Sequence, residues 1–440
     1  MRQRDGKLRF GMALQGGGGH WRDPAAAADG AVRIETYMEY ARIAEAAKFD
    51  FGFIADSAYI TRDSSWEFVS RLEPLSTLSA VSAVTKHLGL VGTFTTSYSY
   101  PFTTARQLAS LDAVSKGRAG WNAVTTAYKD VARNFNGEEL HDHELRYQIA
   151  DEYIEVCKGL WDSFEDDAFV RDRESGVYLD YEKMHTLDHK GRFFQVQGPL
   201  NMERSPQGRP VMFQAGASDS GRDLAAKHAD AIFSTLTAGD DLASAKAFAD
   251  DMGRRAEAHG RSRDDLLIFP AIYPIVGATQ AEADAKYEKE ASYRDVDQAI
   301  RFMSRFFNFF DFTQFPLDEP LPDISGIASQ GFQSTTEHLA RVVRDEKLTL
   351  RQLAYRVAFP KGWFVGAAEE VADKMQMQFE DRSVDGYIII GTHPHLRDFT
   401  EQVIPILRKR GLFREEYEST TFRGNLGLEY PESRYASRTP

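Results

Sequence analysis

Gly120-Trp121-Asn122-Ala123-Val124-Thr125-Thr126 is a short β-prone run that ends in hydrogen-bonding side chains. Upstream lie Pro101-Phe102-Thr103-Thr104-Ala105-Arg106 and Leu111-Asp112-Ala113-Val114-Ser115-Lys116-Gly117-Arg118. Together they read as strand end, helix, strand and polar strand end. Apolar strands that finish in Asn and Thr put polar groups at a mouth, the place where an α/β barrel carries its chemistry.

The same alternation runs through the chain. Candidate strands occupy 8–14, 50–55, 88–95, 119–124, 210–214, 231–234, 266–276 and 386–390, with helical patterns between them. Parallel strands joined by crossover helices give this order. Eight of them predict an α/β fold, a closed (β/α)8 TIM barrel. An open doubly wound sheet shares the alternation, but no strand is followed by the Gly-x-Gly-x-x-Gly turn such sheets often carry. Thr36-Tyr37-Met38-Glu39 has capping-box spacing, with Tyr40, Ile43, Ala44 and Ala47 recurring at helical intervals behind it. Glu73-Pro74 opens a second helix, where proline lacks nothing because the first-turn N–H has no helical partner.

At 440 residues the chain is expected to be one barrel domain, 1–440, with rim insertions at about 165–202 and 295–359. The first carries Gly191-Arg192-Phe193-Phe194-Gln195-Val196, an alternating run suited to a hairpin. The second carries Phe302, Phe306, Phe307, Phe309, Phe310 and Phe312, which either pack an inserted helical pair or roof the pocket. A net charge of −13 argues against nucleic acid and anionic membrane as partners. Cys157, the single cysteine, excludes an internal disulfide and reads as a buried core residue in a helix. The first ten residues lack the apolar run of a secretory signal and no stretch approaches a membrane span, so a soluble, cytoplasmic protein is expected.

Several polar strand ends stand out. Gln15 and the glycines 16–19 lead to His20-Trp21-Arg22 after the first strand, Asp56-Ser57 follows the second, Thr95-Thr96-Ser97 the third and Asn122 to Thr126 the fourth. The glycine run has no following Lys-Ser/Thr and is not a phosphate loop. It suits close approach to a flat ligand or carriage of His20 on a mobile segment. After the fifth strand, Gln214-Ala215-Gly216-Ala217-Ser218-Asp219 leads into a helix expected from about 223 to 229. That turn is either a phosphate site at a helix amino terminus or an ordinary Ser/Asp cap. His141-Asp142-His143 and His393-Pro394-His395 have two-histidine spacing, but the further ligands a metal needs are not evident, and no metal is expected. Arg22, Arg62 and Lys361 are cations able to steer an anionic compound.

Taken together, these segments resemble the nitrilotriacetate, EDTA, dibenzothiophene-sulfone and long-chain alkane monooxygenases of the bacterial luciferase-like superfamily. Gly120 to Thr126, Phe51 to Asp56, Ala132-Arg133-Asn134-Phe135, His143-Glu144-Leu145-Arg146-Tyr147, Gln214-Ala215-Gly216 and Asp385-Gly386-Tyr387 carry the likeness over nearly the whole chain. The resemblance implies FMN, its reduced form serving as co-substrate. Asp56, Thr95 and Asn122 would surround the isoalloxazine and ribityl chain, and Tyr147, Ala217 and Ser218 would hold the phosphate. It implies His20 and His143 as catalytic pocket residues, with the charge change near neutral pH that general acid work requires. It further implies O2, an NAD(P)H-dependent flavin reductase, a small organic substrate attacked beside a C–N or C–S bond or at an alkyl carbon, and a homodimer or homotetramer. This sequence departs from the pattern at Glu144, where relatives have Asp, and at Ala217, where many have a second Ser. A deazaflavin-dependent oxidoreductase and a non-catalytic flavin-binding protein are the alternatives.

Overall fold

All eight runs form strands of one closed barrel. The computed structural model describes residues 5–14, 20–24, 26–58, 60, 62, 64, 66–126, 131–135, 141–216, 218–234, 242–307, 310–327, 333–359 and 361–436. The strands are β1 (Arg9–Ala13), β2 (Phe51–Ile54), β3 (Gly89–Thr95), β4 (Ala119–Val124), β5 (Val211–Gln214), β6 (Ala231–Ser234), β7 (Leu267–Ile272) and β8 (Gly386–Ile389). Each pairs in parallel with the next, and β8 pairs with β1. The barrel, not the open sheet, is the architecture.

Three boundaries differ from the sequence reading. The run 266–276 is two strands. β7 stops at Ile272, Pro274 cannot donate to a ladder, and Ile275–Gly277 leaves the barrel to pair with Val365–Ala367. The helix Ile34–Ala46 starts ahead of the supposed capping box, because the 3-10 turn Gly30–Val32 feeds directly into it; Arg33 is its N-cap and Thr36 lies inside it. The helix expected at 223–229 begins at Asp219 and ends at His228, since Ser218 already caps it. Glu73 opens Pro74–Ser82 as anticipated, its carboxylate accepting from the Leu75 and Ser76 N–H groups.

Strand alternation sorts the side chains into two layers. Trp121, Ala123 and Met212 face outward onto the helices Pro101–Ser115 and His143–Trp161, sharing a core with Leu108, Tyr153, Cys157 and Trp161. Both indole N–H groups there are satisfied, Trp121 by the Phe94 carbonyl and Trp161 by the Ala105 carbonyl, each at 3.0 Å. Phe51, Val91, Val211, Phe213, Phe269 and Ile388 fill the inside. Phe422, from the short helix Phe422–Asn425, enters at the amino-terminal end, 5.7 Å from the Phe51 ring. A Cβ at residue 89 would lie 2.4 Å from the Phe422 ring, so the plug requires Gly89.

The amino-terminal end is bound together by a repeated device. Asp50, Asp230 and Asp385 each stand one residue before an even-numbered strand, and each clamps the second residue of the preceding strand. Their N–H groups donate to the carbonyls of Phe10, Met212 and Ile268 at 2.7, 2.8 and 3.0 Å. Their carboxylates accept the N–H groups of those same residues at 2.7, 2.8 and 2.9 Å. Arginines neutralise them: Arg414 for Asp50 at 2.6 Å, Arg423 for Asp230 at 2.8 Å and Arg263 for Asp385 at 3.2 Å. Before β4 the position is Arg118, whose guanidinium instead donates to the carbonyls of Ser82, Thr85, Leu88 and Ser115.

The insertions hang outside this frame. Within 165–202 the expected hairpin forms between His189–Lys190 and Gln195–Val196, anchored where Glu152 accepts from His189 and from the N–H groups of Arg192, Phe193 and Phe194. The segment 295–359 has its own core of Met303, Phe307, Phe312, Leu339, Val343 and Leu353, with Phe306 and Phe310 packed on it. Most of the phenylalanines therefore pack an inserted helical unit; Phe302 is exposed and Phe309 lies outside the described residues. Among the described residues no helix is long and apolar enough to cross a membrane.

The clamps should dominate stability. Burial would raise the Asp230 carboxyl, but Arg423 and Arg209 together with the Met212 N–H outweigh it and hold it well below the usual range. Asp230→Ala strands a buried guanidinium and should cost about 3–5 kcal/mol in urea unfolding at pH 7. Because the folded pKa lies below the unfolded one, the Asp230 contribution should be complete above roughly pH 4 and vanish as pH falls through the folded value. An unchanged midpoint in the variant would contradict this role.

Candidate active site

The carboxyl ends of the strands carry the groups that the bottom of the barrel leaves free. Asn122 on β4 points inward, between the outward Trp121 and Ala123. Its Nδ2 donates to Thr93 Oγ1 at 2.9 Å, and Thr93 Oγ1 donates to the Ile54 carbonyl at 2.8 Å, which fixes the orientation of the amide. Its Oδ1 is buried and has no partner among the described residues. An unpaired buried acceptor costs roughly 1–3 kcal/mol, a cost that a bound donor would relieve.

From there the polar line continues along the mouth. Thr95 Oγ1 lies 2.9 Å from Thr126 Oγ1 and accepts the Ser97 N–H at 3.1 Å. The Thr126 carbonyl takes a hydrogen bond from Arg146, whose Nε is buried without a partner among the described residues. The next residue, Tyr147, receives a hydrogen bond from Ser218 Oγ at 3.5 Å. Ser218 also caps its helix, accepting the Gly221 N–H at 3.2 Å, so the cap and the anion-site readings describe one turn. A Cβ at Gly221 would sit 2.9 Å from Tyr147 Oη. Ala217 lies outside the described residues. Glu144 accepts from Ser220 Oγ at 3.3 Å, tying the two helix starts together.

Asp56 and the two histidines have other neighbours. Asp56, half-buried beyond the end of β2, pairs with Arg71 at 2.8 Å; burial raises its pKa and Arg71 opposes that. His143, exposed at the start of its helix, sits with its ring 4.8 Å from that of Tyr147. His20 is 5% exposed, stacked on Tyr293 at 5.8 Å and edge-on to Trp66 at 5.3 Å. Its Nδ1 accepts the Arg22 N–H at 3.2 Å, which leaves the proton on Nε2. Burial, then the charges of Arg294 and Arg22, lower its pKa to about 4, with Asp23 opposing. The expected charge change near neutral pH is therefore absent at His20: the imidazole is neutral, because the charged form would be both desolvated and repelled. The glycine run before it lies outside the described residues.

The histidine pairs do not converge. His141 is exposed, His393 packs on Tyr40 with ring centroids 4.0 Å apart, and His395 is buried against Tyr273 with its pKa lowered to about 4, chiefly by burial. Among the described residues no three metal-ligating side chains cluster. Lys361 pairs with Asp284 at 2.8 Å, and Arg62 is exposed. Sequence reasoning missed Thr93, Trp66, Tyr293 and Arg294. Thr93 was accessible, since it shares the inward face of β3 with Thr95 at period two. Nothing local marks the other three, which reach His20 only through the folding of distant segments.

An inward-facing polar rim above an aromatic barrel core is the layout of a barrel enzyme. The chain belongs to the luciferase-like monooxygenase family, whose pattern matches residues 8–386. It is 42% identical to N-acetyl-S-(2-succino)cysteine monooxygenase of Bacillus subtilis (strain 168), over 98% of both chains. It is 40% identical to nitrilotriacetate monooxygenase component A of Aminobacter aminovorans, again over 98% of both. Among solved structures it superposes on a riboflavin lyase, determined with modified FMN and riboflavin, with a TM-score of 0.82 at 31% identity over 98% of both chains. It is thus an enzyme, a flavin-dependent monooxygenase by family.

His20 provides a direct check of the site's electrostatics. In a histidine-labelled sample its ring resonances should titrate near pH 4 and stay flat between pH 5.5 and 8. Since the unfolded state takes up that proton near pH ~6.5, His20 should lower stability progressively as pH falls from that value towards 4. A midpoint above 6 would contradict the buried, cation-flanked environment.

Proposed function

We propose that this chain oxygenates a small organic substrate with O2 and reduced FMN, the latter delivered by a separate NAD(P)H-dependent flavin reductase. The observation that carries the cofactor is the orphaned, buried Asn122 Oδ1 at the inner wall of the mouth, an acceptor lacking the kind of donor that an isoalloxazine N–H is. Family membership and the FMN-related ligand of the riboflavin lyase support the same choice. The separate reductase is supported by the absence of a dinucleotide fingerprint in the chain and by the word "component" in the name of the nitrilotriacetate relative.

Reduced FMN supplies the electrons that activate O2. The protein's residues bind, orient and exclude water. Asn122 and Thr95 engage the ring system and ribityl chain, and Asp56 is held for the same purpose by Arg71. Tyr147, Ser218 and the backbone N–H of Ala217 hold the phosphate, and Arg146, with its unpartnered Nε, adds positive charge beside them. Phe53 and Phe233, stacked at 5.1 Å, supply a dry floor. His20 serves as a neutral Nε2–H donor, while His143, exposed beside Tyr147, is the candidate for proton exchange with solvent. The substrates in the two relatives' names contain a C–S and a C–N bond, which supports attack beside such a bond here.

Anaerobic titration of the full chain should give tighter binding for reduced than for oxidised FMN. Asn122→Ala should weaken FMN binding about tenfold with the far-UV dichroism unchanged. Binding of a deazaflavin but of neither form of FMN would overturn the reading.

A further inference from the structure

Several hydrogen-bond donors meet around His20, and among the described residues none of them is hydrogen-bonded to a carboxylate. His20 Nε2 carries the ring proton and has no hydrogen-bond acceptor among the described residues, Nδ1 being taken up by the Arg22 N–H. Trp66, edge-on to the same ring at 5.3 Å, has its Nε1 buried without an acceptor among the described residues. Arg294 follows Tyr293, the residue stacked on His20, and its guanidinium lies 4.4 Å from the centre of the Phe359 ring. Its Nε is buried without a partner, and no ion pair to it exists among the described residues. The Arg22 guanidinium donates to the Tyr293 carbonyl at 3.2 Å.

This is an unusual arrangement in so acidic a chain. With 66 Asp and Glu against 53 Lys and Arg, carboxylates are abundant, and other cations in and beside this insertion have found them: Lys361 pairs with Asp284 and Arg351 with Asp318. Asp23 acts on His20 in the opposite sense to the two arginines and ranks behind both. A cluster of donors without an acceptor of its own is complementary to an anion, and a planar guanidinium backed by a ring suits a carboxylate.

We propose that His20 Nε2, Trp66 Nε1 and the Arg294 guanidinium anchor a carboxylate of the organic substrate, so that the substrate class is a carboxylated small molecule. Arg22 adds charge at the rim, and the faces of Trp66 and Tyr293 take the carbon skeleton. The anchor is composite. His20 follows β1, Trp66 follows β2, and Arg294 immediately precedes the insertion between β7 and β8. The inference rests on reading the barrel mouth as a monooxygenase site, and it names which compounds that site accepts.

The test is calorimetric titration of the full chain with succinate and with its neutral analogue succinamide, with FMN affinity measured on the same samples. Succinate should bind at least about tenfold more tightly than succinamide, and Arg294→Gln should weaken succinate by about tenfold or more while leaving FMN affinity unchanged. Equal binding of the two probes, no binding of succinate, or succinate affinity indifferent to Arg294→Gln would overturn the anchor. Should Arg294→Gln lose both ligands, Trp66→Phe decides: weakened succinate with unchanged FMN supports the anchor, and unchanged succinate refutes it. Normal succinate selectivity with no FMN binding in the unaltered chain would sink the flavin reading and leave the anchor standing.

Discussion

The two-point clamp between an aspartate and the strand before it is the constraint on which the barrel depends. In three of the four strand pairs, one residue gives its N–H to a neighbouring carbonyl and takes that neighbour's N–H on its carboxylate. Parallel strands reach the barrel through long crossovers and have no tight turn to set their register. The clamp sets it at the first residues, and the arginine behind each carboxylate makes burial of the charge tolerable. The carbonyls of Asp50, Asp230 and Asp385 then accept from the first residue of the strand that follows, which carries the register around the ring.

With register and closure secured at one end, the other end is free to be polar. Phenylalanines occupy the middle of the barrel and Phe422 plugs the bottom, so no chemistry is asked of those layers. One layer up, inward positions become Thr93, Asn122 and Thr95, and not all of their hydrogen-bonding capacity is used internally. A protein interior rarely leaves an acceptor such as Asn122 Oδ1 unpaired. Here the shortfall sits where a ligand would enter.

The insertion between β7 and β8 changes the character of that entrance. It has its own core, distinct from that of the barrel. The segment leading into it stacks Tyr293 on His20 and brings the Arg294 charge near enough to act on the imidazole, while Phe359 at the insertion's far end backs the guanidinium. Enclosure by these groups keeps His20 neutral: the desolvation and positive charge that suit an anion disfavour imidazolium.

Alternation of β-prone runs with helical ones was enough to read the barrel from the chain, because parallel strand and crossover helix are local patterns. All eight strands were legible; the exception in length, 266–276, failed because Pro274 ends a ladder that hydropathy alone continues. The polar strand ends were legible for the same reason: residues such as Asn122 and Thr95 sit at the ends of their own strands. The aspartate clamps, the Phe422 plug and the surroundings of His20 were not. Each joins residues far apart in sequence, and neither propensity nor periodicity encodes which distant side chain will be buried against which. The identity of the strands was thus settled by short-range sequence, while the charge state of His20 and the company of Arg294 were decided by tertiary packing, because desolvation and Coulombic repulsion depend on distance in space.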